Sequence, residues 1–425
     1  MSDWPTTTLG ELIHVKHGYA FKGEHFAETG DKLVLKPGNF PVGGGIKLRP
    51  GKDDYYAGIY PPEFELEPGD MLVVMTDLTQ AAPILGSPAF VPSEPVMLHN
   101  QRLGLVQIKP GAQVDERFLY YSMLSESARA QVRATATGAT VRHTAPERLY
   151  RVRIGFPDLR VQQSVGEFLG ALDGLIDNNR RRVRVLEEMA RAIYREWFVN
   201  FRYPGYESVQ LVDSAVGLIP EGWNVRAASE AVEINPSIKL NRTVEHPFIA
   251  MGDVSETSMV CLPSETRSGG SGARFANGDT LLARINPSLQ NGKTGFVQCL
   301  EDGEVGLGST EFIVMRGRQI GRAFTYCLAR QEAFRHNAIA SMVGASGRQR
   351  VRNECFDTYF LAVPPQYVAQ SFEAAAAPMF AQVDLLHRQA TNLGAVRDLL
   401  LPRLVTGQID VTSLNFDRVL EDAVA

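Results

Sequence analysis

The feature that most constrains this chain is a pair of apolar seams with identical spacing. Leu169, Leu172, Ile176, Asn179, Val183, Leu186, Ala190, Ile193 and Trp197 follow at alternating steps of three and four, and eight of the nine are apolar. That is the pattern of a coiled-coil seam rather than the wider stripe of a helix lying on a globular core. Adding 207 to each number gives Ala376, Met379, Val383, Leu386, Ala390, Leu393, Arg397, Leu400 and Leu404, again with eight of nine apolar. A seam needs a partner, and the chain carries its own. Asn179 in the first seam corresponds to Leu386 in the second, so the helices are related but not interchangeable, as in an intramolecular antiparallel pair. At about 1.5 Å per residue, roughly 45 helical residues span on the order of 65 Å, which is the length of a spacer.

The same offset works outside the helices, and self-similarity at a long period signals repeated units. Trp4-Pro5 with Leu9-Gly10-Glu11-Leu12 corresponds to Pro220-Glu221-Gly222-Trp223 with Ala231-Val232-Glu233-Ile234. Pro68-Gly69-Asp70 corresponds, at an offset of 209, to Asn277-Gly278-Asp279, in each case a turn feeding a buried strand. His99-Asn100-Gln101-Arg102 pairs with Gly308-Ser309-Thr310-Glu311 at 209, Gly138-Ala139-Thr140 with Gly344-Ala345-Ser346 at 206, and Ile154-Gly155-Phe156-Pro157 with Leu361-Ala362-Val363-Pro364 at 207. The expected class is α+β: two similar α+β domains separated by a long antiparallel helix pair, an intramolecular coiled coil, in pseudo-twofold relation. The expected segments are a domain at 1–157, a helix at 158–203, a second domain at 204–364, a second helix at 365–410 and a C-terminal tail at 411–425. Pro204-Gly205 is expected to end the first helix, 213–222 to form a surface linker, and Pro378 to kink or break the second helix near its start.

Composition allows such a plan and narrows the partners. With 425 residues, 44% hydrophobic and 21% charged, the chain is an ordinary soluble one with room for two or three domains. A formal net charge of −5 gives no global signature of nucleic-acid binding, so any such case rests on local charge. Residues 129–160 hold seven arginines against Glu147 and Asp158, and residues 311–352 hold eight against Glu311 and Glu332. The N-terminus lacks a secretory pattern, and the uncharged stretch 78–93 is broken by prolines. Cys261, Cys299, Cys327 and Cys355 lie far apart, as reduced, partly buried thiols of a cytoplasmic protein would.

These residues resemble the specificity subunit of Type I restriction-modification systems along essentially the whole chain. The resemblance is carried by the tandem plan, by Gly18-Tyr19-Ala20-Phe21-Lys22, by Arg284-Ile285-Asn286-Pro287 with Asn291-Gly292-Lys293-Thr294, and by the ending Arg397-Asp398-Leu399-Leu400-Leu401-Pro402-Arg403-Leu404-Val405-Thr406-Gly407. It implies a non-catalytic subunit whose two target-recognition domains each read half of a bipartite site on double-stranded DNA. The helix pair would set the unread gap and dock two copies of an adenine-N6 methyltransferase subunit, and a restriction subunit would join them. No cofactor would sit on this chain: S-adenosylmethionine would belong to the methyltransferase, ATP and Mg to the restriction subunit. Fixed spacing matters physically, because one base pair more moves the far half-site by about 3.4 Å and turns it by roughly 35°.

Charge clustering and glycine punctuation pick out candidate DNA contacts, since base edges are read by Arg, Lys, Asn and Gln. In the first domain these are Tyr19 and Lys22, on a glycine-flanked loop, and Arg142 with His143 after Gly138. In the second they are Arg284, Asn291 and Lys293, then Arg348, Gln349 and Arg350 after Gly344. For Arg180, Arg181 and Arg182, phosphate contact, a subunit interface and plain solvation weigh equally. The competing class is a self-sufficient nucleic-acid-modifying enzyme, and its motifs fail. Gly292-Lys293-Thr294 lacks the phosphate-loop glycine at Pro287, and Gly269-Gly270-Ser271-Gly272-Ala273 misses the last glycine of a nucleophile elbow. Asn286-Pro287-Ser288-Leu289 and Asn235-Pro236-Ser237-Ile238 lack the second proline and aromatic with which an adenine methyltransferase grips a flipped base. The eight histidines show no metal-ligand spacing.

Overall fold

The computed structural model describes residues 4–49, 51–345, 347–411, 414 and 418. Met1, Ser2 and Asp3, Ser346 of the glycine-turn match, and most of the tail expected at 411–425 lie outside the described residues. The chain forms two compact units, Met1–Ile176 with Thr391–Ala425, and Asp177–Ala390.

Both units repeat one topology. In the first, an antiparallel sheet orders Ile13–His17, Leu103–Ile108, Met71–Val74 and Pro88–Phe90. In the second the corresponding order is Val232–Ile234, Phe312–Gly317, Thr280–Ala283 and Thr294–Phe296. Met71–Val74 and Thr280–Ala283 are buried at every position, which suits the apolar runs Met71–Val74 and 281–283 to an inner place in the sheet. Each follows the Gly-Asp turn read from the sequence. Asp70 accepts the Glu67 N–H and Asp279 the Ala276 N–H, so one carboxylate closes the turn in each repeat.

A second sheet in each unit contains a single parallel pair: Lys32–Val34 beside Val96–Leu98, and His246–Ile249 beside Gly306–Gly308. A short ladder of Thr6–Thr8 with Arg153–Gly155 is repeated by Asn224–Ala227 with Phe360–Val363. Paired nine-residue helices, Glu116–Leu124 and Glu126–Ala134, recur as Arg322–Arg330 and Glu332–Ala340. Asp115 and Ser125 cap the first pair with their side chains. Gly321 offers no side chain there, and Glu373 of the second long helix accepts the Ala323 N–H instead.

The long helices are Leu159–Phe198 and Gln366–Leu404, 40 and 39 residues. Within each unit the two segments touch in antiparallel sense. In the first, the Arg397 guanidinium meets Asp173 at 2.7 Å. In the second, the Trp197 ring lies 5.9 Å from that of Phe372, and the Arg180 charge acts on His387. Seam positions Leu169, Leu172, Ile176, Asn179, Val183, Val383, Leu386, Leu393 and Leu404 are buried; Leu186, Ile193, Trp197, Met379 and Leu400 are half-buried. The buried surface is wider than a strict seam. In the second unit Tyr194, Phe198, Phe372 and Phe380 are also buried and pack on Phe324, Phe296 and Tyr326. Glu187 accepts hydrogen bonds from Ser258 Oγ and the Met259 N–H in the same unit. The helices therefore pack on the α+β layers as well as on each other.

Three expectations are corrected. The first helix ends at Phe198, before Pro204-Gly205. The freed carbonyls of Arg195 and Glu196 are taken by the N–H groups of Val199, Asn200 and Arg202, while Phe201 turns left-handed at φ 57°. Residues 213–222 are no plain linker, because Leu211–Ser214 and Gly217–Pro220 form a β-hairpin. Finally, the break expected at Pro378 does not occur, since Gln366–Leu404 is one continuous helix. A proline costs one backbone bond, and the buried flanking residues Ala376 and Phe380 hold the turn in place.

Candidate nucleic-acid interface

In the first unit the candidate loops meet at one end of the central sheet. Gly18 lies flat on the backbone of His99 and Asn100; a Cβ there would stand 2.1 Å from the Asn100 carbonyl oxygen. The Tyr19 N–H then donates to His99 O and the Gln101 N–H to Tyr19 O, which joins the two loops. Met75 links the next pair, donating to Arg102 O and accepting from the Thr144 N–H. Arg142 and His143 pair in register with Asp77 and Thr76, and His143 Nδ1 lies 3.1 Å from Thr76 Oγ1. Arg142 turns its guanidinium inward, donating to the carbonyls of Gly138 and Arg133. Tyr19 is half-buried, its ring against Phe21 and Phe64, whereas Lys22 and His143 are exposed. Tyr19 and Arg142 thus shape the surface that Lys22, Gln101, Arg102 and His143 present.

Gly138 sets the shape of the 137–143 turn. Its φ is 97°, and a Cβ would approach Val141 O to 1.9 Å. Gly138→Ala is expected to cost about 1–3 kcal/mol. Thermal melting checks this; an unchanged Tm would contradict it.

His99 lies beneath these loops, fully buried, with Nε2 3.0 Å from Leu103 O. Burial pushes its pKa down to about 4, against the smaller upward pull of that hydrogen bond. The folded form therefore binds its proton less readily than the unfolded chain. The stabilisation from the neutral ring is complete above about pH 6.5 and is lost as pH falls toward 4, amounting to about 3 kcal/mol. Melting curves from pH 7 to pH 4 should show this loss, and His99→Leu should flatten it. An unchanged slope in that variant would exclude His99 as the source.

The second unit repeats the framework with different side chains. Arg284 donates to Glu311 O and accepts from the Val351 N–H, the two bonds that Met75 makes in the first. Val343 and Arg350 exchange backbone bonds of 3.0 and 2.9 Å, as Thr137 and His143 do at 3.0 and 2.8 Å. The Asn286 N–H donates to Gln349 O. Arg284, Gln349 and Arg350 are thereby joined at one strand end. Asn291 and Lys293 lie on the adjoining loop but are engaged by its other side: Asn291 Nδ2 donates to Glu256 and Lys293 Nζ to Met251 O. Arg348 is exposed, and Arg350 grips Glu311 through Nε and Nη2 at 2.6–3.0 Å. That pairing holds the Glu311 carboxyl below the usual carboxylate range.

Sequence reasoning missed Gln101, Arg102 and Glu311 as surface residues of these sites. The signal was present in the match of His99-Asn100-Gln101-Arg102 with Gly308-Ser309-Thr310-Glu311, read only as a lead-in to a strand. Arg180, Arg181 and Arg182 are exposed on the first long helix, with Arg180 3.7 Å from Asp177. Among the described residues, no group of His, Cys, Asp and Glu is placed to hold a metal ion, and no helix is long and apolar enough to cross a membrane. The four cysteines are free, Cys261, Cys327 and Cys355 buried and Cys299 half-buried.

The family model for the Type I restriction modification DNA specificity domain matches residues 1–188. The MjaIX specificity subunit of a Type I restriction enzyme from Methanocaldococcus jannaschii is 23% identical over 329 residues, 73% of each chain. The MjaVIII specificity subunit from the same organism is 19% identical over 424 residues, 97% of this chain and 95% of that one. Among solved structures, the S subunit of a Type I restriction-modification system from M. genitalium superposes with a TM-score of 0.57 at 12% identity, covering 95% of this chain and 96% of that one. With two units that repeat one topology and two long helices in one polypeptide, the chain is similar along nearly its whole length to specificity subunits of Type I restriction-modification systems.

Proposed function

We propose that the chain reads a bipartite DNA site for a Type I restriction-modification enzyme, with 1–157 and 204–364 as its two target-recognition domains. The observation that carries this reading is the duplicated framework around Met75 and Arg284. One set of backbone bonds presents Gln101, Arg102 and His143 in one domain, and Glu311, Arg348 and Arg350 in the other. A common scaffold with different side chains is what reading two unlike half-sites requires. The paired segments 158–203 and 365–410, observed as Leu159–Phe198 and Gln366–Leu404, set the gap between the half-sites and offer the docking surface for two methyltransferase subunits. A restriction subunit completes the assembly in the cytoplasm. S-adenosylmethionine is bound by the methyltransferase, and ATP with Mg by the restriction subunit, so the present chain is non-catalytic.

The purified chain should bind duplex DNA with an affinity that falls steeply with salt, because each phosphate neutralised releases counterions. Alone it should neither bind S-adenosylmethionine nor transfer methyl groups. Sequence-selective adenine methylation should appear on mixing with the methyltransferase subunit. Methyl transfer by the isolated chain would overturn the proposal and favour a self-sufficient enzyme.

A further inference from the structure

Arg350 and Glu311 form an ion pair that has no counterpart among the described residues of the first domain. The corresponding places, defined by the Thr137–His143 pairing and by the Met75 bond to Arg102, hold His143 and Arg102. The pair is not needed to fix the loop. Four backbone bonds already do so: two between Val343 and Arg350, one from Asn286 to Gln349 O, and one from Val351 to Arg284 O. As an ion pair with a half-exposed arginine it contributes little to folding. It does fix the direction of the guanidinium. Glu311 takes the edge formed by Nε and Nη2, which leaves three N–H donors on the Nη1 and Nη2 end.

We propose that this outer edge of Arg350 reads a guanine in the half-site of the second domain, with Glu311 as the positioning residue. A guanine presents O6 and N7 side by side in the major groove and takes both bonds from one planar fork. A phosphate is a poorer fit, because the Glu311 carboxylate cancels the charge of Arg350 and repels a second anion. A neutral base edge suffers no such repulsion. The recognised sequence is therefore asymmetric, with this guanine contact in one half only.

The inference rests on the DNA-specificity reading, and one experiment separates the two. The chain is combined with its methyltransferase subunit, and methylated adenines are mapped on plasmid DNA to define the recognised sequence. Arg350→Ala should relax a single guanine position in one half-site by about 5- to 150-fold, while the other half keeps its full stringency. Synthetic duplexes with inosine at that position, which retains O6 and N7, should be methylated, and those with 7-deazaguanine should lose a similar factor. The exchanged variant Glu311→Arg with Arg350→Glu can rebuild the ion pair but should not regain the guanine. Undiminished guanine preference in Arg350→Ala, or full recovery in the exchanged variant, would overturn the assignment and leave a structural pair. Absence of selective methylation with the wild-type complex would instead remove the specificity reading itself, and this inference with it.

Discussion

Replacing Arg397 by alanine should lower stability by about 3–5 kcal/mol, the range for breaking an ion pair largely removed from water. Arg397 occupies the one polar position of the second seam, and its side chain is only 16% exposed. Burial works against its charge, but Asp173 and Asp398 outweigh burial and raise its pKa. Asp173 also accepts the Tyr121 hydroxyl at 2.7 Å, so one carboxylate joins the first long helix, the second long helix and the Glu116–Leu124 helix within that unit. Without Arg397 the carboxylate keeps only the tyrosine and whatever water can reach it. For a unit of this size, a loss of that magnitude lowers Tm by roughly 6–20 °C. The triple variant Asp173→Leu with Arg397→Met and Tyr121→Phe should recover most of the loss, since apolar residues of similar volume replace such pairs at little cost and the Tyr121 hydroxyl that Asp173 accepts is removed with them. Thermal melting decides the matter. A shift under 2 °C in Arg397→Ala, on the order of 1 kcal/mol or less, would show that the pair is solvated in practice.

Lengthening both long helices together should change the gap between half-sites and nothing else. A matched insertion of seven residues, about 10 Å of helix, preserves the seam register in each helix. The place to make it is between Ile176 and Asp177 and between Ala390 and Thr391, where the two compact units divide. Insertion within 180–196 would instead displace Glu187 and Tyr194 from Ser258, Met259 and Phe324, and would damage a domain. Methylation at the original site should fall by at least about 100-fold, because displacing one half-site loses several base pairs worth about 1–3 kcal/mol each. Selection from a library with randomised gaps should return the same half-sites at a new separation. Return of altered half-sites would refute the role of the helices as the measure of the gap.

Much of this was legible in the sequence because repetition amplifies weak signals. A Gly-Asp turn before a strand means little once, but Asp70 and Asp279 do the same work in the same place. The long helices were visible through their three-four spacing. Their full burial was not, because Tyr194, Phe198, Phe372 and Phe380 face partners that folding brings in from 296–326. Pro378 shows propensity overridden by packing, and Phe201 shows a helix ended by local backbone geometry rather than by the next proline.

The interface divided in the same way. Glycine and charge picked out loops that the fold brings together, and could not say which side chains face outward. Arg142, Asn291 and Lys293 are turned to carbonyls or to Glu256, and Tyr19 to an aromatic cluster, because tertiary contacts decide orientation. Glu311 escaped notice because an acid is not an obvious member of a basic surface until its partner Arg350, 39 positions away, is seen in its grip.

The most direct test of the central claim is to sequence modified adenines in DNA exposed to the methyltransferase subunit with and without this chain. The account predicts methylation at one bipartite sequence, two unlike half-sites with an unread gap of fixed length, appearing only when the chain is present. Methylation at a single continuous sequence, or the same pattern in its absence, would contradict it.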